Sequence, residues 1–256
     1  MKMVILAGGE GTRISEETDV KSKAMVAIGG KPIIWHIMKN AFTHDVHEFL
    51  VALGYRGDTI KRFFLEYHNL ANNITIDLAT GYVNHHGMEA EPWRVHLIET
   101  GLKTMTAYRL GQLKPWLGGE TFMVTYTDGL SDVDFKKLAE FHKAQGKLVT
   151  ITAVKIPARF GGLAMQDGLV TAFTEKPDIG EGWINGGFMM MEPQVLDRMD
   201  KEHLTLEGHI LPQLAKENQL AAYKHAGFWQ CMDNTREMRV LENLWNSGSA
   251  PWKNWS

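Results

Sequence analysis

Cysteine is nearly absent: Cys231 is the only one among 256 residues. A single thiol makes neither a disulfide within the chain nor a multi-cysteine zinc site, and this composition suits a reducing compartment. An excess of one charge is also missing. The formal net charge is -3, with no acidic or basic block, so the concentrated Lys/Arg surface needed to hold a nucleic-acid backbone is not there. No apolar run approaches the ~20 residues of a membrane span. Met1 to Ala7 is too short for the apolar centre of a secretion signal and runs straight into glycines, so it reads as a buried first strand. These absences predict a cytoplasmic protein that binds neither nucleic acid nor membrane. No linker rich in Pro, Gly or Ser and no internal repeat interrupts the chain, which predicts one continuous domain over 1–256, with a change of texture near residue 155.

What is present is ordinary for a folded domain: 44% hydrophobic and 22% charged residues. Short apolar runs alternate with amphipathic stretches over the first 155 residues, the α/β pattern of a mostly parallel sheet flanked by helices. Strands are expected at 2–7, 48–53, 73–78, 95–99, 121–126 and 148–155. Helices are expected at 32–42, 59–67, 105–116 and 134–145, from apolar spacing of three and four, with Pro32 in a first turn and Asp58 as a cap. Beyond Lys155 the pieces are shorter and broken by glycine. They read as a smaller antiparallel α+β supplement at 169–175 and 184–191, then helices at 207–217 and 235–245 around a last strand at 220–225.

Leu6-Ala7-Gly8-Gly9-Glu10-Gly11-Thr12-Arg13 follows the first strand. Its glycines let the backbone turn sharply and aim successive N–H groups at phosphate oxygens, with Arg13 supplying charge. Two better-known phosphate loops do not fit: no Lys follows as the Walker pattern requires, and Ile14 stands where the dinucleotide fingerprint needs a third glycine. Taken alone, such a turn is as often structural as functional. Downstream, Lys21-Ser22-Lys23 and then Gly29-Gly30-Lys31-Pro32 complete a longer pattern.

That pattern resembles the sugar-1-phosphate nucleotidyltransferases. The resemblance continues through Val95 to Gly101, Tyr126-Thr127-Asp128-Gly129, Glu175-Lys176-Pro177, Asn185-Gly186-Gly187-Phe188 and Gly227 to Asp233, essentially the whole chain. Trp35-His36-Ile37-Met38, Glu91-Pro92-Trp93 and Ala250-Pro251-Trp252-Lys253 with Trp255 are similar to the subgroup that transfers cytidylyl from CTP to glucose 1-phosphate. The resemblance implies a Rossmann-like fold. It also implies a nucleotide-binding half over about 1–155, an acceptor-binding and metal-completing half over about 156–256, and a homo-oligomer.

In such a transfer a phosphate-monoester oxygen attacks the α-phosphorus of a triphosphate and pyrophosphate leaves, so cations matter more than a strong base. By position, Arg13 is expected at the β/γ-phosphates and Lys23 at the α-phosphate or the acceptor phosphate. Leu6, Ala7, Gly8, Gly9, Glu10, Gly11 and Thr12 would line the triphosphate, and the resemblance adds Thr104 and Arg109 near the nucleotide. Asp128 follows an apolar strand at the end where open α/β sheets bind ligands. With Asp233 it makes a sufficient set for Mg2+, which needs only one or two protein carboxylates. Asp132 and Asp134 read instead as helix-capping carboxylates. On the acceptor side the resemblance gives Glu175 to a sugar hydroxyl, Lys176 to the sugar phosphate, and Asn185 and Gly186 to the sugar.

The chain departs from that subgroup where Ala107-Tyr108 replaces two glycines and where Leu206 to Pro212 replaces a Trp-Glu-x-Glu-Pro segment. Three alternatives stay open: CTP with glucose 1-phosphate, the same transfer to another sugar 1-phosphate or to a small non-sugar phosphate, and a non-catalytic nucleotide sensor. His85, His86 and Cys231 receive no role.

Overall fold

The computed structural model describes residues 1–9, 22–87, 90–155, 162–166, 169–174 and 182–255. Seven strands form the central sheet: β1 (Lys2–Ala7), β2 (Glu48–Leu53), β3 (Arg94–Glu99), β4 (Phe122–Tyr126), β5 (Val149–Lys155), β6 (Trp183–Met191) and β7 (Leu220–His225). Their order is β7-β5-β6-β4-β1-β2-β3. Every neighbouring pair is parallel except those of β6, which runs antiparallel to both β4 and β5. Smaller antiparallel pairs include Gly162–Gln166 with Leu169–Thr174 and Trp229–Cys231 with Gly129–Ser131.

Both faces of the sheet are covered, which is why its inner strands are apolar at consecutive positions. Met3, Ile5 and Ala7 of β1 point into one core with α1 (Ile33–Phe42) and Trp252, while Val4 and Leu6 point into a second with Ala107, Leu110, Leu206 and Leu214. The alternation follows from the two-residue period of a strand. In the first core the fully buried Trp252 stacks on Phe228 at 5.6 Å between ring centroids. Its Nε1–H donates to Nδ1 of His36 at 3.4 Å, and Nε2–H of His36 donates to the Ile28 carbonyl at 2.8 Å. Burial, the largest influence, lowers the His36 pKa to about 4, so the ring is neutral at pH 7.

Several expectations are corrected. The strand at Asn73–Asp77 does not join the parallel sheet but pairs with Tyr82–His86 in a separate hairpin on the surface. Asn-Ile-Thr-Ile-Asp alternates, and a strand buried on both faces needs a continuous apolar run instead. The helix expected at 105–116 breaks into α3 (Thr106–Gly111) and a second short helix at Lys114–Leu117, with Gly111 so close to the Met199 carbonyl that a Cβ would lie 2.4 Å from it. Helix α2 (Gly57–Leu65) also departs from expectation, starting before Thr59. Arg56, in the left-handed region at φ 54°, is its cap, and Asp58 lies in its first turn. Asp134 does cap α4 (Phe135–Gln145), accepting from the N–H groups of Lys136 and Lys137 at 3.0 and 3.1 Å. Asp132 is not the cap of that helix; it pairs with His225 at 2.9 Å. Among the described residues no helix is long and apolar enough to cross a membrane.

Candidate active site

Strands β1 and β4 lie side by side, with Leu6 level with Tyr126. Their carboxyl ends therefore deliver Gly8 and Gly9 from one and Thr127 and Asp128 from the other to a single place, where open α/β sheets bind ligands. The short strand Trp229–Cys231 pairs with Gly129–Ser131, and the Met232 N–H donates to the Asp128 carbonyl at 2.6 Å. This ladder sets Asp233 beside Asp128. The turn Lys23–Met25 brings in a cation: Lys23 Nζ stands 2.6 Å from Asp233 Oδ1 and 3.3 Å from Asp128 Oδ2, with its side chain only 12% exposed.

Asp233 is fixed from behind. Its N–H donates to Glu237 Oε2 at 2.7 Å, while Asn234 caps α5 (Thr235–Asn246) by accepting from the Glu237 N–H at 3.0 Å. The spacing is that of a capping box, but Glu237 reaches one residue beyond the cap Asn234, to the Asp233 N–H. Here its outcome is a carboxylate held toward Lys23. Glu237 was not singled out from sequence, although the Asn234-x-x-Glu237 spacing carries that signal.

Two cavities meet at this cluster. One, of about 280 Å³, is lined by Leu6, Ala7, Gly8, Gly9, Lys23 and Thr106 among others. The other, of about 500 Å³, is lined by Asn185, Gly186, Gly187, Glu207 and Trp229 among others. Tyr126, Asp128 and Asp233 line both. The arrangement has room for two ligands whose ends come together at the carboxylate pair.

In the second cavity the β5–β6 register breaks between Ile151 and Ala153, and this bulge swings Gly186 and Gly187 out of the ladder. Gly187 has φ +83°, and its N–H donates to Asn185 Oδ1 at 3.0 Å. Trp229 Nε1–H anchors the Gly186 carbonyl at 2.8 Å. Opposite stands Glu207, which accepts from the Tyr126 hydroxyl and, at 2.9 Å, from Thr106 Oγ1. Burial first, and the Glu207 charge second, push the Tyr126 pKa well above its ordinary value, so its hydroxyl stays a donor. Glu207 lies in the segment that departs from the subgroup pattern, and sequence reasoning assigned it no role.

Arg109 is placed beneath the turn. Its guanidinium, 4% exposed, donates to the Leu53 carbonyl at 2.6 Å, to Thr100 Oγ1 at 2.5 Å and to the Thr104 carbonyl at 3.0 Å. A Cβ on Gly8 would lie 2.1 Å from Arg109 Nη1, and one on Gly54 2.6 Å from the same atom. Arg109 still borders the first cavity, whereas Thr104 lines neither and hydrogen-bonds to the Thr100 carbonyl at 2.7 Å. Glu10, Gly11, Thr12, Arg13, Lys21, Glu175 and Lys176 lie outside the described residues.

The residues present fit a divalent cation. Two carboxylates from different elements converge on one positive charge, the Lys23 ammonium, which stands in for a cation between them. Among the described residues there is no cluster of three or more His, Cys, Asp or Glu suited to a metal. A Mg2+ ion completed by phosphates and water needs no more than two.

A family model described as nucleotidyl transferase matches residues 2–234. Glucose-1-phosphate cytidylyltransferases of Salmonella typhi and Salmonella typhimurium (strain LT2) are each 46% identical over 256 residues, covering 100% of both chains. The solved structure of HddC from Yersinia pseudotuberculosis superimposes with a TM-score of 0.71 at 20% identity, over 95% of this chain and 99% of that one, a likeness of fold. With the sheet, the glycine turn and the paired carboxylates already in place, these matches establish that the chain is an enzyme of the nucleotidyl transferase family.

Proposed function

We propose that the enzyme transfers the cytidylyl group of CTP to the phosphate of glucose 1-phosphate, giving CDP-glucose and pyrophosphate. The observation that carries this reading is full-length identity of 46% to glucose-1-phosphate cytidylyltransferases. Two cavities joined at one carboxylate pair support it. The triphosphate lies in the first cavity along Leu6 to Gly9, continuing over Glu10 to Thr12, with Arg13 at its β/γ end. The sugar phosphate lies in the second cavity against Asn185 and Gly186, with Glu175 and Lys176 completing the acceptor side.

Its phosphate is mostly dianionic at pH 7 and needs no base. An oxygen of that phosphate attacks the α-phosphorus in line, the bond to the β-phosphate oxygen breaks, and pyrophosphate leaves with the electron pair. Lys23 brings the two anions together by neutralising charge at the α-phosphate. Asp128 and Asp233 would hold Mg2+, which when bound supplies charge stabilisation to the phosphoryl oxygens. Arg109 acts on the nucleotide through the turn it supports, with Thr104 behind it. The exposed apolar residues of the hairpin, Ile74, Ile76, Tyr82 and Val83, support a homo-oligomer, and the scarcity of cysteine supports a cytoplasmic one.

The test is pyrophosphate release with Mg2+, each of the four common triphosphates and a panel of phosphorylated acceptors. CTP with glucose 1-phosphate is expected to be fastest by at least tenfold. Equal rates with other acceptors would refute the substrate assignment, and no release with any pair would refute catalysis.

A further inference from the structure

The ion pairs of Lys23 raise a question the transfer reaction leaves unanswered. Its ammonium is expected to serve phosphate, yet without ligand it lies between two carboxylates, 2.6 Å from Asp233 and 3.3 Å from Asp128. An ammonium in that position cancels much of the negative charge that attracts a divalent cation. Both cannot occupy the same point. Without Lys23, Asp128 and Asp233 would lose the cation that lies between them.

We infer that Lys23 is a resident counter-ion that couples cation binding to triphosphate binding, the two favouring each other because Lys23 can leave the carboxylates only when a phosphate receives it. This rests on the proposed placement of the triphosphate along Leu6 to Gly9, which border the same cavity as Lys23. A divalent cation entering alone must separate Lys23 from both aspartates and leave the ammonium, with a side chain only 12% exposed, short of an anion. A cation entering with a triphosphate brings that anion along. The linkage is reciprocal: whatever the triphosphate adds to cation affinity, the cation adds to triphosphate affinity. Lys23 thereby guards against an empty site filling with metal and makes the metal–nucleotide complex the species that binds.

Partly exposed Lys–Asp pairs each contribute a few-fold in binding terms, so displacing both suppresses metal-only affinity by about tenfold, or about 1.4 kcal/mol. The experiment is a Mn2+ titration followed by electron paramagnetic resonance, on wild type, Lys23→Met and Lys23→Gln. Each is titrated without nucleotide and with a CTP analogue whose α–β bridge is methylene. Folding is checked by circular dichroism, and Lys23→Gln serves if Lys23→Met does not fold. Asp233→Asn in each background identifies the site, since it should abolish Mn2+ binding and leave the signal of free Mn2+.

The expected result is that the Lys23 variants bind Mn2+ alone about tenfold more tightly than wild type while binding the analogue more weakly. The favourable coupling between Mn2+ and analogue, present in wild type, should shrink toward zero. Unchanged or weaker Mn2+ affinity in both variants would overturn the inference, as would full coupling in their presence. Because Mn2+ affinity is read without turnover, this outcome is separate from the proposed reaction. Failure of wild type to release pyrophosphate from CTP and glucose 1-phosphate would refute the reaction and leave the Mn2+ result standing.

Discussion

Replacing Gly8 by alanine is the smallest change that should disable the phosphate turn, and its size can be worked from the structure. A methyl there would sit 2.1 Å from Arg109 Nη1 and 2.2 Å from its Cζ, far inside contact distance, so the guanidinium must move. A flexible, solvated arginine would simply swing away. Arg109 is 4% exposed and held at three points, the Leu53 carbonyl, Thr100 Oγ1 and the Thr104 carbonyl. Each hydrogen bond to a charged donor is worth about 1.5–3 kcal/mol. Losing two of the three therefore destabilises the fold by about 3–6 kcal/mol, or about 6–24 °C in melting temperature for a chain of this size. The assay is urea unfolding of wild type, Gly8→Ala, Arg109→Ala and the double variant. If the clash is the cause, Gly8→Ala should cost little once Arg109 is gone, giving a coupling of at least about 2 kcal/mol. A Gly8→Ala variant as stable as wild type, or equally destabilised in both backgrounds, would refute the wedge. KM for CTP should rise in the single variant, since the turn rests on Arg109.

Asp128→Asn should abolish turnover, since a metal-binding carboxylate is lost. Lys23 keeps its pair with Asp233 at 2.6 Å, so unchanged circular dichroism with wild-type turnover would refute the metal assignment. Trp252→Ala removes a fully buried ring stacked on Phe228 and should cost about 3–5 kcal/mol in urea unfolding; a loss below about 1 kcal/mol would contradict its place in the core. His36 is neutral in the fold with a pKa of about 4 and titrates near 6.5 when unfolded. The unfolded chain therefore takes up a proton below pH 6.5 that the native chain refuses, and stability present above that pH is lost as pH falls toward 4. From pH 7 to 5 this group should account for a loss of about 2 kcal/mol. His36→Gln should show a correspondingly shallower pH dependence, and an identical slope would contradict the assignment.

Strands β1 and β2 could be read from sequence because a strand buried on both faces is a continuous apolar run, here Met3 to Ala7 and Phe49 to Leu53, each after one charged residue at the edge of the core. Asp128 was legible for the same reason: it is the first carboxylate after such a strand. The hairpin at Asn73–His86 misled because its alternation marks a strand without saying which partner it takes. The contacts that make the cluster work are between residues far apart in the chain, as when the Trp229–Cys231 ladder carries Asp233 to Asp128. No local pattern encodes that distance. Arg109 shows a different limit. The resemblance put it near the nucleotide, and only the fold reveals that two backbone carbonyls and a hydroxyl accept from its guanidinium. Glu207 was missed because its partners, Thr106 and Tyr126, belong to other elements.

The transfer itself is tested most directly by following oxygen. Glucose 1-phosphate labelled with 18O throughout its phosphate, incubated with CTP, Mg2+ and the enzyme, should yield CDP-glucose carrying all of the label on the phosphate next to glucose. The pyrophosphate should carry none, as read by mass spectrometry of both products. Label in the pyrophosphate, or no CDP-glucose at all, would contradict attack by the acceptor phosphate on the α-phosphorus of CTP.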